Sequence, residues 1–269
     1  MNFYIIADIE GIANIVEFKE SMPGGEDYEI MRKIMTKEVK ACARGLLESG
    51  AKRIVVNDFH GNGRNIIFSD LQQEVELVRG GFRPTSAIDF ADNTFDGVLF
   101  IGAHAAGGTK GVMAHTYSGM INVFINNYLV SEFDILASYF GDLNVPAIFV
   151  SGDQTVCEQS QYLCKEIFTV ATKIAINAES ALCIHPEKIQ DEIYRNTKLA
   201  VERIKSIAPL GFKKPLSVEM NLLKPGHMEK VVWIPGVEKK DMNTITFKTK
   251  TSRELLDMLY GILMLYPAS

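Results

Sequence analysis

The sequence predicts an α/β fold: a mostly parallel sheet with flanking helices, plus a smaller C-terminal α+β unit. Three observations carry this. Short apolar runs at residues 3–7, 53–57, 97–102 and 147–150 have the length of buried strands. The first two flank a segment of helical periodicity, which makes a βαβ unit of parallel strands with a right-handed crossover. After about residue 180 the pattern becomes helix, strand, strand, helix, the order of an α+β unit. The expected division is therefore 1–180 for the α/β domain and 181–269 for the smaller one.

Phe3 to Ala7 is the first strand, and Pro23, Gly24 and Gly25 mark a loop. From Tyr28 to Ser49 the residues Ile30, Met31, Ile34, Met35, Val39, Ala43, Leu46 and Leu47 recur at helical spacing, and Gly50 is placed to stop the helix. Strand 53–57 follows. Leu77 to Arg79 reads as a short strand and Thr85 to Ala91 as a short helix. After strand 97–102 comes a glycine-rich loop, Gly107 to Gly111, read as a mobile rim of the site. Ile121–Ile125 and Tyr128–Val130 flank Asn126-Asn127, a pair able to supply the positive φ angles of a tight hairpin. Ser131 can cap a helix that runs to Phe140 and stops at Gly141. Residues 147–150 form another strand, and Val156 to Thr169 reads as a helix. Pro186 opens a long helix. Leu216–Leu222 and Thr244–Lys250 alternate as strands, and a last helix begins at Ser252.

The chain has 269 residues, 47% apolar and 23% charged, with a net charge of −5. This is ordinary for a soluble protein and gives no electrostatic reason to expect nucleic acid or an anionic membrane as partner. Cys42, Cys157, Cys164 and Cys183 form no CxxC pair and read as free thiols of a reducing compartment. The N-terminus enters a strand without a basic, then apolar, leader. The apolar stretch Leu255 to Tyr266 is too short to span a bilayer. The expected location is the cytoplasm.

The candidates for chemistry sit just beyond the strands. Asp8 and Glu10 follow the first, His60 the second and His104 the strand at 97–102. In an open parallel sheet these carboxyl ends share one edge, where ligands bind. Imidazole and carboxylate together suit zinc. If strand geometry continues, Asp8 and Glu10 share a face with Cα atoms roughly 6.6 Å apart, and two such carboxylates repel unless a cation lies between them. Taken singly, each has a bland reading: a solvated strand end for the acids, a hydrogen-bonded structural ring for each histidine. Their coincidence at the ends of several strands of one sheet favours a site. Glu132 falls in the first turn of a helix, where the dipole alone accounts for a carboxylate. His115 lies on a loop and is a candidate acid–base group, though a loop histidine without a role fits the same position. His185 and His227 read as turn or capping residues. The segment Gly61 to Ile66 lacks the third glycine of a dinucleotide fingerprint. Gly107 to Gly111 lacks Gly-Lys-Ser/Thr, and neither HExxH nor GxSxG occurs.

These residues occur within recognisable pieces: Asp8-Ile9-Glu10-Gly11-Ile12, Val56-Asn57-Asp58-Phe59-His60, Phe100-Ile101-Gly102-Ala103-His104, Gly111-Val112-Met113-Ala114-His115-Thr116 and Ser131-Glu132. With Val145-Pro146-Ala147 and Ser151-Gly152-Asp153, the chain resembles the DppA-type D-aminopeptidases, a family of binuclear zinc peptidases. The resemblance implies two zinc ions held by Asp8, Glu10, His60, His104 and Glu132. Asp8 would bridge, Glu10 and His60 would complete one site, and His104 and Glu132 the other. It implies a catalytic role for His115, a smaller α+β domain beside the catalytic one, and a ring-shaped homo-oligomer, with a decamer as one possible size. The charges agree: four from two zinc ions balance three carboxylates and one bridging hydroxide, which forms near neutral pH because metals acidify bound water. The chain departs from many relatives at Lys173 to Ser180, where Asn177, Ala178 and Glu179 replace a glycine- and arginine-containing stretch. That leaves the metal residues intact and bears on substrate identity.

The expected function is a metal-dependent aminopeptidase that removes the N-terminal residue of short peptides through a zinc-bridging hydroxide. D-residue preference is implied by the resemblance alone. His115 would shuttle a proton to the leaving amine or hydrogen-bond the oxyanion. Two alternatives stay open. One is a dinuclear metal hydrolase of a phosphoester or cyclic amide, and the other a non-catalytic α/β protein binding a small ligand in its cleft.

Overall fold

Alternate residues of the first strand, β1 (Asn2–Ala7), enter different cores. Phe3, Ile5 and Ala7 join one and Tyr4 and Ile6 the other, as a strand covered on both faces requires. In the computed structural model, which describes residues 1–81, 83, 88–118, 121–222 and 228–265, β1 lies inside a seven-stranded sheet. The next elements are α1 (Phe18–Ser21), α2 (Tyr28–Glu48), β2 (Arg53–Asp58), β3 (Val75–Val78), β4 (Gly97–Ala103), β5 (Ile121–Ile125) and β6 (Tyr128–Val130). Then come α3 (Glu132–Asp142), β7 (Ala147–Asp153), α4 (Gln154–Leu163), β8 (Phe168–Asn177), β9 (Ser180–Cys183) and α5 (Pro186–Glu202). The chain closes with β10 (Leu216–Leu222), α6 (Met228–Val231), β11 (Glu238–Lys239), β12 (Thr244–Thr249) and α7 (Ser252–Leu265).

The large sheet has the order β3-β2-β1-β4-β7-β8-β9, parallel except for β9, which pairs antiparallel with β8. Helices α2 and α5 pack on one face, through Met35, Val39, Leu46, Ile189 and Ile193. The other face packs against α3, α7 and a five-stranded antiparallel sheet of order β11-β12-β10-β5-β6. The α/β class with a smaller antiparallel unit is thus observed.

The hairpin at Asn126-Asn127 forms as its residues predict, with φ of 51° and 67°. It does not stay with its sequence neighbours, however. β5 pairs with β10, so the smaller sheet draws strands from both sides of residue 180, while β9 and α5 pack with the large sheet.

Several elements differ from the sequence reading, among them β3, read at Leu77–Arg79 and found at Val75–Val78, and β7, read at 147–150 and found at Ala147–Asp153. Helix α3 runs through Gly141, which is glycine because a side chain there would meet the Leu210 carbonyl oxygen at 1.7 Å; the left-handed turn that follows the helix falls at Asn144, with φ 62°. The helix expected to reach Thr169 ends at Leu163, and the segment Thr169 to Thr172, with three β-branched residues in four, continues the sheet beside β7. Of the short helix expected at 85–91, residues 85–87 lie outside the described residues and 88–91 are not helical. No helix among the described residues is long and apolar enough to cross a membrane.

Candidate functional site

The strand order reverses at β1. Strands β2 and β3 lie to one side of it, and β4 and β7 to the other. The crevice beyond the carboxyl ends at such a switch point is where open α/β sheets bind ligands. Asp8 and Glu10 follow β1, His60 follows β2, His104 follows β4, and Glu132 opens α3. All five are buried, in one cluster.

Strand geometry does not continue through Glu10. After Ala7 the chain turns, with Ile9 N donating to Asp8 Oδ1 at 2.8 Å and Gly11 N to the Gly102 carbonyl at 2.8 Å. The turn demands glycine: a Cβ on Gly11 would lie 1.8 Å from the Ala103 carbonyl oxygen. On the β4 side Gly102 has φ 73°, and a Cβ there would lie 2.2 Å from the Asp8 carbonyl oxygen. The backbones that carry Asp8, Glu10 and His104 can approach this closely only because these positions are glycine.

The hydrogen bonds of the histidines fix which nitrogen faces the cluster. His60 Nε2 is 3.1 Å from the Ser21 carbonyl, His104 Nδ1 3.2 Å from the Ala105 carbonyl, and His115 Nδ1 2.7 Å from the Met113 carbonyl. A carbonyl only accepts, so those nitrogens carry the protons and, in neutral rings, the others present lone pairs. His60 Nδ1 lies 3.2 Å from Asp8 Oδ1 and 2.9 Å from Glu10 Oε2. His104 Nε2 lies 3.5 Å from Asp8 Oδ2 and 3.3 Å from Glu132 Oε1. Lone pairs held against carboxylate oxygens call for a cation between them. Glu10 Oε2 and His104 Nε2 are also buried without a well-formed hydrogen bond. The donors of Asp8, Glu10 and His104 lie within 4.8 Å of one another, as do those of His104, His115 and Glu132. This nitrogen and oxygen donor set, with the outer ring nitrogens bonded to carbonyls, fits zinc.

The electrostatics of the cluster without a metal tell the same story. Burial and the neighbouring Glu10 push the Asp8 carboxyl up to about 7. Burial opposes charge on Glu10 and Glu132 too, yet His60 and His104 hold their carboxyls below the usual range. For His104 the Glu132, Asp8 and Glu10 carboxylates outweigh burial and raise the ring to about 10; Glu10 and Asp8 likewise raise His60. Protons on these rings stand in for the cation.

His115 behaves differently. Its ring stacks on His104 at 3.9 Å and 8°. Burial and His104 lower its affinity for a proton. Its Nε2 is 3.8 Å from Glu132 Oε1. Helix α3 begins as predicted, with Ser131 accepting from Asp134 N, and Glu132 gains more than the dipole, because Tyr117 N donates to its Oε1 at 2.7 Å. Asp58, two residues before His60, accepts from Asn65 N, Ile66 N and Asn65 Nδ2 at 2.7–2.8 Å, and serves to shape the His60 loop. His185 caps α5 by accepting from Glu187 N, as expected. His227 lies outside the described residues.

The cluster opens into a cleft of about 480 Å³. Besides the polar groups, Phe18, Met22, Phe59, Tyr117, Tyr260 and Leu263 line it. Of these, the sequence marks only Phe59, as the neighbour of His60. Tyr117 has φ 58°, costly for a bulky residue, in a loop that turns its N–H to Glu132 while its ring packs edge-on to Phe59 and Tyr260. Tyr260 arrives on α7, more than 140 residues later, and no local signal announces it. The departure at Asn177 to Glu179 forms the β8–β9 turn, where the Ala178 carbonyl accepts from Met113 N at 2.9 Å, beside the His115 loop.

Known proteins resemble the chain over most of its length. A family model described as D-aminopeptidase matches residues 1–260. A D-aminopeptidase of Bacillus subtilis (strain 168) is 30% identical over 256 residues, covering 94% of this chain and 93% of that protein. The solved structure of the Zn-dependent D-aminopeptidase DppA from Bacillus subtilis, described as a self-compartmentalizing protease, matches with a TM-score of 0.94. It is 28% identical, and the match covers 98% of this chain and 97% of that one.

Proposed function

The chain belongs to the D-aminopeptidase family and is a metal-dependent aminopeptidase, and from that premise we propose that Asp8, Glu10, His60, His104 and Glu132 hold two zinc ions while His115 handles the proton. The observation that carries this reading is the set of ring nitrogens and carboxylate oxygens facing one another with their lone pairs inward. Asp8 offers one oxygen toward His60 and the other toward His104, the arrangement of a bridging carboxylate. Glu10 and His60 complete one site, and His104 and Glu132 the other. Zinc bound there supplies Lewis acidity, which acidifies water and polarises the scissile carbonyl.

His115 has one nitrogen to offer. Its Nδ1 proton is committed to Met113, so Nε2 in the neutral ring is an acceptor. Donating to an oxyanion from the outset would require the imidazolium in the resting enzyme, which burial and His104 disfavour. His115 Nε2 therefore takes the proton of the attacking water and passes it to the leaving amine. A second reading makes His115 a ligand, since its donor atom lies within 4.8 Å of those of His104 and Glu132.

The substrate in this reading is a short peptide with a free N-terminal amine and a D-residue first. The protein works in the cytoplasm as a homo-oligomer, in line with the relative described as self-compartmentalizing, and we take the assembly to be a ring, with a decamer as one possible size. The apolar cleft walls fix the direction of the first side chain, and exchanging D for L swaps that side chain with hydrogen. Steady-state rates on matched D- and L-alanyl peptides, free and N-acetylated, test the proposal. Turnover is expected for the free D-peptide. Cleavage of the L-peptide alone would overturn the chirality, and equal cleavage of acetylated and free peptides would overturn the aminopeptidase reading.

A further inference from the structure

Lys173 is fully buried, a costly place for an ammonium group. Its Nζ donates to the Glu10 carbonyl at 2.6 Å and to the Ile12 carbonyl at 2.8 Å. Between them, the Gly11 carbonyl accepts from Thr172 Oγ1 at 2.7 Å. Three successive carbonyls of the turn that carries Glu10 are thus held by two adjacent side chains more than 160 residues away. Adjacent residues of a regular strand point to opposite faces. Here the register slips: Gly152 pairs with Ala171 and Asp153 with Lys173, so Thr172 is an extra residue in β8. A bulge of this kind re-aims side chains, and this one brings Thr172 and Lys173 to the same turn.

We infer that Lys173, with Thr172 beside it, is a positioning residue: it fixes the Glu10–Ile12 turn and so sets the metal affinity of the Glu10 and His60 side of the site. The inference rests on the ligand assignment proposed above. Beyond Ala7 the backbone leaves β1; Asp8 N still donates to the Ile101 carbonyl and Gly11 N to the Gly102 carbonyl, while the carbonyls of Glu10, Gly11 and Ile12 are held by Lys173 and Thr172. Lys173 touches the main chain of Glu10 and not its carboxylate, so its effect is on the ligand's placement.

The test is a titration of metal-free protein with cobalt(II), read by its visible absorption, and with zinc against a competing chelator. Wild type is expected to bind two ions, and failure of that arm would refute the ligand assignment, and this inference with it. Lys173→Met keeps the bulk and removes the donors. It is expected to weaken one of the two binding steps by about 10–100-fold, the usual effect of losing a group that orients a ligand, and to leave the other step and the spectrum of that ion unchanged. Wild-type affinity at both steps would overturn the inference while the ligand assignment stands, and so would equal weakening of both. Should Lys173→Met not fold, Thr172→Val carries the test, since it removes one hydroxyl at constant shape. A selective loss at the same step supports the inference. Unchanged binding, or a second unfolded variant, assigns the pair a purely architectural role and overturns it.

Discussion

Asp8→Ala is expected to strip the protein of most of its zinc and to lower peptide hydrolysis to background. Of the five proposed ligands, Asp8 is the one whose two oxygens face different histidines, Oδ1 toward His60 and Oδ2 toward His104. Removing it opens both sites together, and it leaves Glu10, His60, His104 and Glu132 buried with less to organise them. The loss of rate is expected to exceed the roughly 10²–10³-fold that follows removal of a single stabilising donor, because the Lewis acids depart with the carboxylate. Elemental analysis after dialysis, with rates on the same samples, checks this. Zinc should fall further than in His60→Ala or His104→Ala, each of which empties one side. An Asp8→Ala protein with wild-type zinc would remove the bridge from the account.

His115→Ala is expected to keep its zinc and lose activity by about 10²–10⁴-fold, the range for a positioned acid–base group. The contrast with His104 is sharp, because the two rings are stacked in contact and yet face different surroundings. His104 is raised to about 10 by carboxylates around it, whereas His115 is lowered by burial and by His104 itself. In the proposed mechanism this ring, with Nδ1 committed to Met113, offers Nε2 as the proton acceptor. Loss of zinc from His115→Ala equal to that from His104→Ala would instead make His115 a ligand of the His104 and Glu132 side, as the closeness of their donor atoms allows.

Much of the site is legible because a parallel sheet converts sequence order into spatial order. The apolar runs before Asp8, His60 and His104 identify three strand ends, and the sheet brings those ends to one edge. The hairpin at Asn126-Asn127 and the cap at Ser131 are equally local, and both form. What fails to show is what depends on distant partners. Residues 121–130 spell a hairpin but not that it docks on β10, nearly a hundred residues later. Gly141 has the look of a helix stop, yet it is there because the Leu210 backbone passes too close for a side chain. The bulge at Thr172 is invisible without β7 alongside, so Lys173 reads as one more residue of a divergent stretch although it supports Glu10. Glu132 is the intermediate case: its position at a helix start is local, but only the fold brings it to His104.

The most direct test is stepwise return of zinc to metal-free protein while following hydrolysis of a free D-alanyl peptide. Activity should be absent at the start, rise with added zinc and level off at two ions per chain. Full activity in the metal-free protein, or none after zinc, manganese or cobalt is restored, would contradict the metal-dependent mechanism.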